Sequence, residues 1–214
     1  GNTTVINGGT ISTLTAGGWS NEGAGNNNIV TVNAGTVNGI LAGGKGSTIA
    51  SDNTVNINGG TINATVMGGR GATQATDNTV TVNGGTINNW LAGGYSANGT
   101  ANNNDVTINN GTITGNIYGG YSKTQASDNI VTLNNGTIAG NIYGGYSTSS
   151  DNVTDNVVII DPGSNLNISD AALYGSNVTN DHDSSGNQLG FSVFNNTNVK
   201  RAGACCICLL QSKN

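Results

Sequence analysis

The chain has 214 residues, a formal net charge of −5 and 8% charged residues, against about 25% in an ordinary soluble domain. It holds 35 Gly, 38 Asn and 27 Thr but one Pro, and its 6 Lys+Arg are too few for a phosphate-tracking nucleic-acid surface. No run of about 18 apolar residues occurs, so no membrane-spanning helix is expected.

The chain opens inside a repeat, so a mature fragment is expected. Gly-Thr followed by Ile or Val recurs with its Gly at Gly9, Gly35, Gly60, Gly85, Gly111 and Gly136, each step being 25 or 26 residues. Eight residues after each stands a Gly-Gly pair, beginning at Gly17, Gly43, Gly68, Gly93, Gly119 and Gly144. All length variation falls in the polar stretch between a Gly-Gly pair and the next strand, as in paired strands joined by surface loops.

Each copy begins with a strand of period two: Val55/Ile57, Val80/Val82, Val106/Ile108 and Val131/Leu133 share one face. Asn-x-Gly follows, a turn signal tolerant of positive φ. The next segment points Ile62, Ile87, Ile113 and Ile138 inward, then Val66, Leu91, Ile117 and Ile142 four residues later. The Gly pairs mark corners where no side chain fits or φ is positive.

Three architectures compete. Asn-Gly between alternating strands is a hairpin signal, but a propeller blade needs about 40 or more residues. A helical solenoid fails because Asn, Gly and Thr are poor helix formers. An all-β, single-stranded parallel β-helix (β-solenoid) of about seven coils explains most. One coil buries too few aliphatic side chains to fold alone, while stacked coils form continuous columns. Asn28, Asn53, Asn78, Asn104 and Asn129 then form an amide ladder. Amides stack without the repulsion that stacked like charges suffer, which accounts for the low charge fraction. Residues 1–150 form the regular repeats.

Residues 151–199 read as a degenerate coil and C-terminal cap. Its turn carries Pro162, Ala171 to Gly175 completes it irregularly, and Phe191 to Phe194 forms a last strand-like piece. Residues 200–214 are a tail of different composition with Cys205, Cys206 and Cys208, whose spacing fits no standard zinc site. A linker or a disordered, non-native end is expected there.

Several residues invite chemistry. Asp52, Asp77 and Asp128 occupy one repeat position, with Asn27 and Asn103 in the same column. Neighbouring carboxylates about 5 Å apart would suit Ca²⁺ or a glycosidase-like pair, although Asp before a strand is an ordinary turn residue. No metal or other cofactor is therefore expected. His182, between Asp181 and Asp183 and near Ser184, reads as a solvated loop rather than a triad. Trp19, Tyr95, Tyr121 and Tyr146 share one position, where Lys45 and Arg70 replace them. Tyr118 and Tyr143 stand three residues earlier, and Trp90 is in the second segment of its coil. Trp19, Tyr95, Tyr118, Tyr121, Tyr143 and Tyr146 are the candidate ligand-binding edge, against the plainer reading that such aromatics pack along the axis. Thr10, Thr36, Thr61, Thr86, Thr112 and Thr137 form one column, and Thr31, Thr81, Thr107 and Thr132 a second. Such columns raise an ice-binding alternative, weakened where Ile29, Asp105 and Ile130 interrupt the partner positions.

The copy Asn109-Asn110-Gly111-Thr112-Ile113-Thr114-Gly115-Asn116-Ile117-Tyr118-Gly119-Gly120-Tyr121-Ser122, and its counterpart at 134–147, resemble passenger-region repeats of bacterial autotransporter-type surface proteins. The resemblance covers about residues 1–150 and lies in repeat texture. It implies a right-handed parallel β-helix, export to the cell surface, and an adhesin or stalk role. The expected partners are a glycan or protein on a host or neighbouring cell, or a second copy. We therefore expect a secreted or cell-surface, non-enzymatic segment, with a polysaccharide-binding or polysaccharide-cleaving β-helix as the alternative.

Overall fold

A computed structural model describes residues 1–149, 152–160, 165–168, 170–178 and 188–191. They form an all-β solenoid of about six turns, without a helix. Every strand pair is parallel and joins residues one coil apart, so the hairpin alternative is excluded. The long strand Ile29–Val37 shows how a coil begins. Its first half pairs with Thr54–Ile57 and its second with Thr61–Ile62, so two ladders merge into one 13-stranded sheet. Between them, Gly35 takes φ 98° and Gly60 takes φ 86°. A Cβ on Gly60 would lie 2.7 Å from the Gly35 carbonyl oxygen, so space and conformation both demand glycine.

The segment after the turn builds a seven-stranded sheet, for example Leu91–Ser96 on Ile117–Ser122. A third sheet of five short strands closes each coil and lies in the variable polar stretch. Ala50, Ala75, Ala101, Ala126 and, in the last strand, Val153 are its inward residues, fully buried. The core is a continuous stack of the expected columns: Val55, Ile57, Ile62 and Val66 are buried in one coil, and Val80, Val82, Ile87 and Leu91 in the next.

Where the Gly-Gly strand approaches the first strand of the following coil, aliphatic packing gives way to amides. Asn28, Asn53, Asn78, Asn104 and Asn129 form the expected ladder, extended by Asn2 at one end and Asn156 at the other. Each buried amide is satisfied. The Asn104 Oδ1 accepts from the Asn78 backbone N–H at 3.1 Å and from Asn78 Nδ2 at 3.0 Å. Its Nδ2 donates to Asn129 Oδ1 at 2.9 Å and to the Ala75 carbonyl at 3.1 Å. A neutral amide supplies two donors and an accepting oxygen, so it fits this position with no charge to desolvate.

The Gly pairs serve this ladder. They lie inside strands rather than at corners, and none has positive φ. A Cβ on Gly93 would fall 2.8 Å from Asn104 Cβ, and one on Gly94 would fall 2.6 Å from both Asn104 Oδ1 and Nδ2. Both glycines leave room for the same amide. The corner reading is thus corrected: the requirement is close approach.

From residue 152 the described strands keep the lengths of their counterparts in earlier coils, and the described residues make about six turns where the repeat count suggested about seven. The segment expected to be irregular is regular in part. Leu173–Val178 continues the seven-stranded sheet, with Leu173 on Ile142 and Tyr174 on Tyr143. The last described strand is Gln188–Phe191, paired with Val157–Ile160; it meets the expected 191–194 piece only at Phe191. Pro162, His182 with its neighbours, Val193, Phe194 and the cysteine tail lie outside the described residues.

Candidate binding face

The two Gly of each pair both turn toward the Asn ladder, so strand alternation is broken across them. Tyr118 and Tyr121, three residues apart, therefore emerge on the same outer side, with ring centroids 5.0 Å apart. One column runs Ala92, Tyr118, Tyr143, Tyr174 in register. Its tyrosines stack face to face: Tyr118 on Tyr143 at 5.0 Å and 8°, and Tyr143 on Tyr174 at 4.8 Å and 7°. The second column runs Trp19, Lys45, Arg70, Tyr95, Tyr121, Tyr146. Its tyrosines meet edge to face, Tyr95 on Tyr121 at 5.3 Å and Tyr121 on Tyr146 at 5.0 Å. Both arrangements are favourable for ring quadrupoles.

Trp90 closes the N-terminal end of this patch. Its ring lies 6.0 Å from Tyr118 and 5.6 Å from Tyr121, beside the small Ala92. The rings thus pack along the axis, as the plainer reading held, and Tyr118 and Tyr143 are mostly covered. Tyr95, Tyr121 and Tyr146 remain half-buried and keep part of each ring open to solvent. Burial, opposed by a hydrogen bond from Asn116 Nδ2 and assisted by the neighbouring tyrosines, pushes the Tyr118 hydroxyl up to about 12. Burial also raises Tyr121, with Tyr146 and Tyr95 adding to it. The Tyr118 and Tyr121 hydroxyls are therefore neutral at physiological pH.

The N-terminal end of the second column differs. Trp19 is 56% exposed, which is unusual for so large an apolar ring. Its Nε1 donates to Asn21 Oδ1 at 2.7 Å, and Lys45 Nζ stands 3.8 Å from its ring centroid. These contacts fix an exposed indole in one orientation.

Asp52, Asp77 and Asp128 are exposed and share positive φ with Asn27, Asn103 and Asp155, all between 53° and 60°. Asp and Asn are the non-glycine residues that enter this left-handed region most readily. The column thus follows from a backbone requirement repeated in every coil. Among the described residues, no group of three or more His, Cys, Asp or Glu is placed to hold a metal ion.

The Thr columns are in register but stand on the two different ladders of the large sheet. Asn56 lies between Thr31 and Thr81, and the flanking column reads Ile29, Thr54, Thr79, Asp105, Ile130. Partial burial raises the Asp105 carboxyl above its ordinary value.

Sequence reasoning placed both tyrosine columns but missed Tyr174, which follows two alanines and a leucine in an altered copy. It also missed that Trp90 joins the patch; its position before Leu91 is held by Thr65 and Asn116 in the adjacent copies, so the column gives no signal. No protein-family model matches the chain, and comparison with curated proteins and with solved structures gives no match either.

Proposed function

We propose that this chain is a non-enzymatic surface rod, an adhesin or stalk segment that presents its aromatic face to a glycan or protein of a host or neighbouring cell, or to a second copy. The observation that carries the reading is the contrast between the two sides of the Gly-Gly strand. The inner side repeats Gly-Gly against Asn in coil after coil, while the outer side departs from repetition and collects Trp90, Tyr95, Tyr118, Tyr121, Tyr143, Tyr146 and Tyr174 in one patch. A spacer alone needs only the inner pattern. Aromatic rings offer large contact area at low entropic cost, which suits them to recognition. Export to a bacterial surface rests on the resemblance of the repeats to autotransporter-type passengers.

The test is a glycan and matrix-protein binding screen of the intact rod beside a Tyr95→Ala/Tyr121→Ala/Tyr146→Ala variant. The expected result is a ligand whose binding falls at least tenfold in the variant while the circular dichroism spectrum is unchanged. A ligand held equally by both proteins would place recognition elsewhere.

A further inference from the structure

The Lys45–Arg70 pair is a second candidate for chemistry on the same outer face. These residues are direct cross-coil partners in parallel strands. Like charges so placed repel, and unlike the Asp52/Asp77 and Asp128/Asp155 neighbours, whose column follows a positive-φ backbone requirement, this pair answers to no such backbone need. No carboxylate pairs with either cation among the described residues. Lys45 leans on Trp19, which spreads its charge over a π face but does not neutralise it. Both side chains border a concavity of about 260 Å³, whose rim includes Ser20, Asn21 and Ser47. The space is small, on the scale of a single sugar ring rather than a drug-sized ligand. The column that holds the cations has Trp19 on one side and Tyr95 on the other.

We propose that this concavity binds the acidic residue of a carbohydrate, a pyranose bearing a carboxylate or sulfate. The anionic group bridges Lys45 and Arg70, removing their repulsion, and the guanidinium supplies a fork matched to either oxyanion. Trp19 stands outside the lining of the concavity and positions the Lys45 ammonium, 3.8 Å from its ring centroid, at the rim. Hydroxyls at Ser20 and Ser47 and the amide of Asn21 offer partners to sugar hydroxyls. One isolated cation pair on an acidic rod is a site for a local charge and gives no track for a phosphate backbone. The assignment rests on the adhesin reading and names the ligand class for a subsite apart from the tyrosine patch.

Binding of the full chain to dextran sulfate and to polygalacturonate tests it, with neutral dextran, free sodium sulfate and a single-stranded oligonucleotide as comparisons. Binding to at least one acidic polymer is expected, weakened at least tenfold in Lys45→Gln/Arg70→Gln and several-fold in Trp19→Ala, and reduced by salt. Retained thermal stability in both variants shows that the fold is intact. Unchanged binding in the double variant overturns the proposal, as does equal binding of neutral dextran, free sulfate or the oligonucleotide. If neither acidic polymer binds while another ligand is lost in the triple tyrosine variant, this proposal falls and the adhesin reading stands. If no ligand binds through either subsite, both fall.

Discussion

Three ladders of asparagine run along the same rod, a short exposed one through Asn38, Asn63 and Asn88 among them; the two longer ones stand in different surroundings. The buried one links Asn28 through Asn156, and each amide is shut from solvent and fully partnered. The outer one links Asn7, Asn33, Asn58, Asn83, Asn109 and Asn134 at 2.7–2.9 Å beside the positive-φ turn, largely in contact with water. The hydrogen bonds have the same length and chemistry. Their worth differs because water can replace a lost partner only on the outside. Repetition alone therefore does not reveal which column holds the rod together; burial does.

The largest expected effect breaks the inner ladder. Asn104→Leu strands the Asn78 backbone N–H and one Asn78 Nδ2–H and takes a donor from the Ala75 carbonyl, while Asn129 Oδ1 keeps the residue-104 backbone N–H and Asn78 Nδ2 keeps the Ala50 carbonyl. At about 1–3 kcal/mol for each buried group left unpaired, a loss on the order of 4 kcal/mol or more is expected in urea unfolding. Asn83→Ala, the matching change outside, is expected to cost less than about 1 kcal/mol. Equal losses would erase the distinction between the ladders. Gly94→Ala approaches the same inner amide from the opposite strand and is expected to cost about 3 kcal/mol by overpacking; a neutral outcome in the same assay would show that the strands can separate freely.

Alkaline titration probes the outer face. The Tyr118 hydroxyl is held at about 12, above the ordinary value near 10. The unfolded chain loses that proton first, so stability is complete below about pH 10 and falls as pH rises toward 12. Absorbance of tyrosinate should show Tyr118 ionising near 12, together with loss of structure, and Tyr118→Phe should reduce that pH dependence. The smallest effect is expected at Ser122, whose buried Oγ has no partner while Ser96 and Ser147 of the same column donate to loop carbonyls. Ser122→Ala should be neutral or stabilising by up to about 1 kcal/mol, read as a higher melting temperature.

Much of this molecule was legible in its sequence because a solenoid writes its core as fixed spacing. The interval from Gly-Thr to Gly-Gly never changes, so the columns at Ile62, Ile87, Ile113 and Ile138 follow directly, and so does the Asn78 ladder. The third sheet was hidden because four of its five inward residues are Ala50, Ala75, Ala101 and Ala126, weak strand formers set in a polar run of variable length. The Gly pairs were visible but misread, since a sequence shows a missing side chain without the amide that occupies its space. The Asp52 column was legible as a position, and its meaning came with the positive φ that Asn27 and Asn103 share. The outer face was least legible. Its residues answer to neighbours above and below rather than to a period, as with Trp90 covering tyrosines of the next coil.

Through-hydrogen-bond NMR couplings test the stacking of like over like most directly. Couplings are expected from the Thr79 amide nitrogen to the Asn53 carbonyl, from Asn83 to Ile57 and from Thr112 to Gly85, each one coil apart. Couplings that instead join the two strands of a single copy, such as Thr81 with Ile87, would contradict the solenoid and every column built on it.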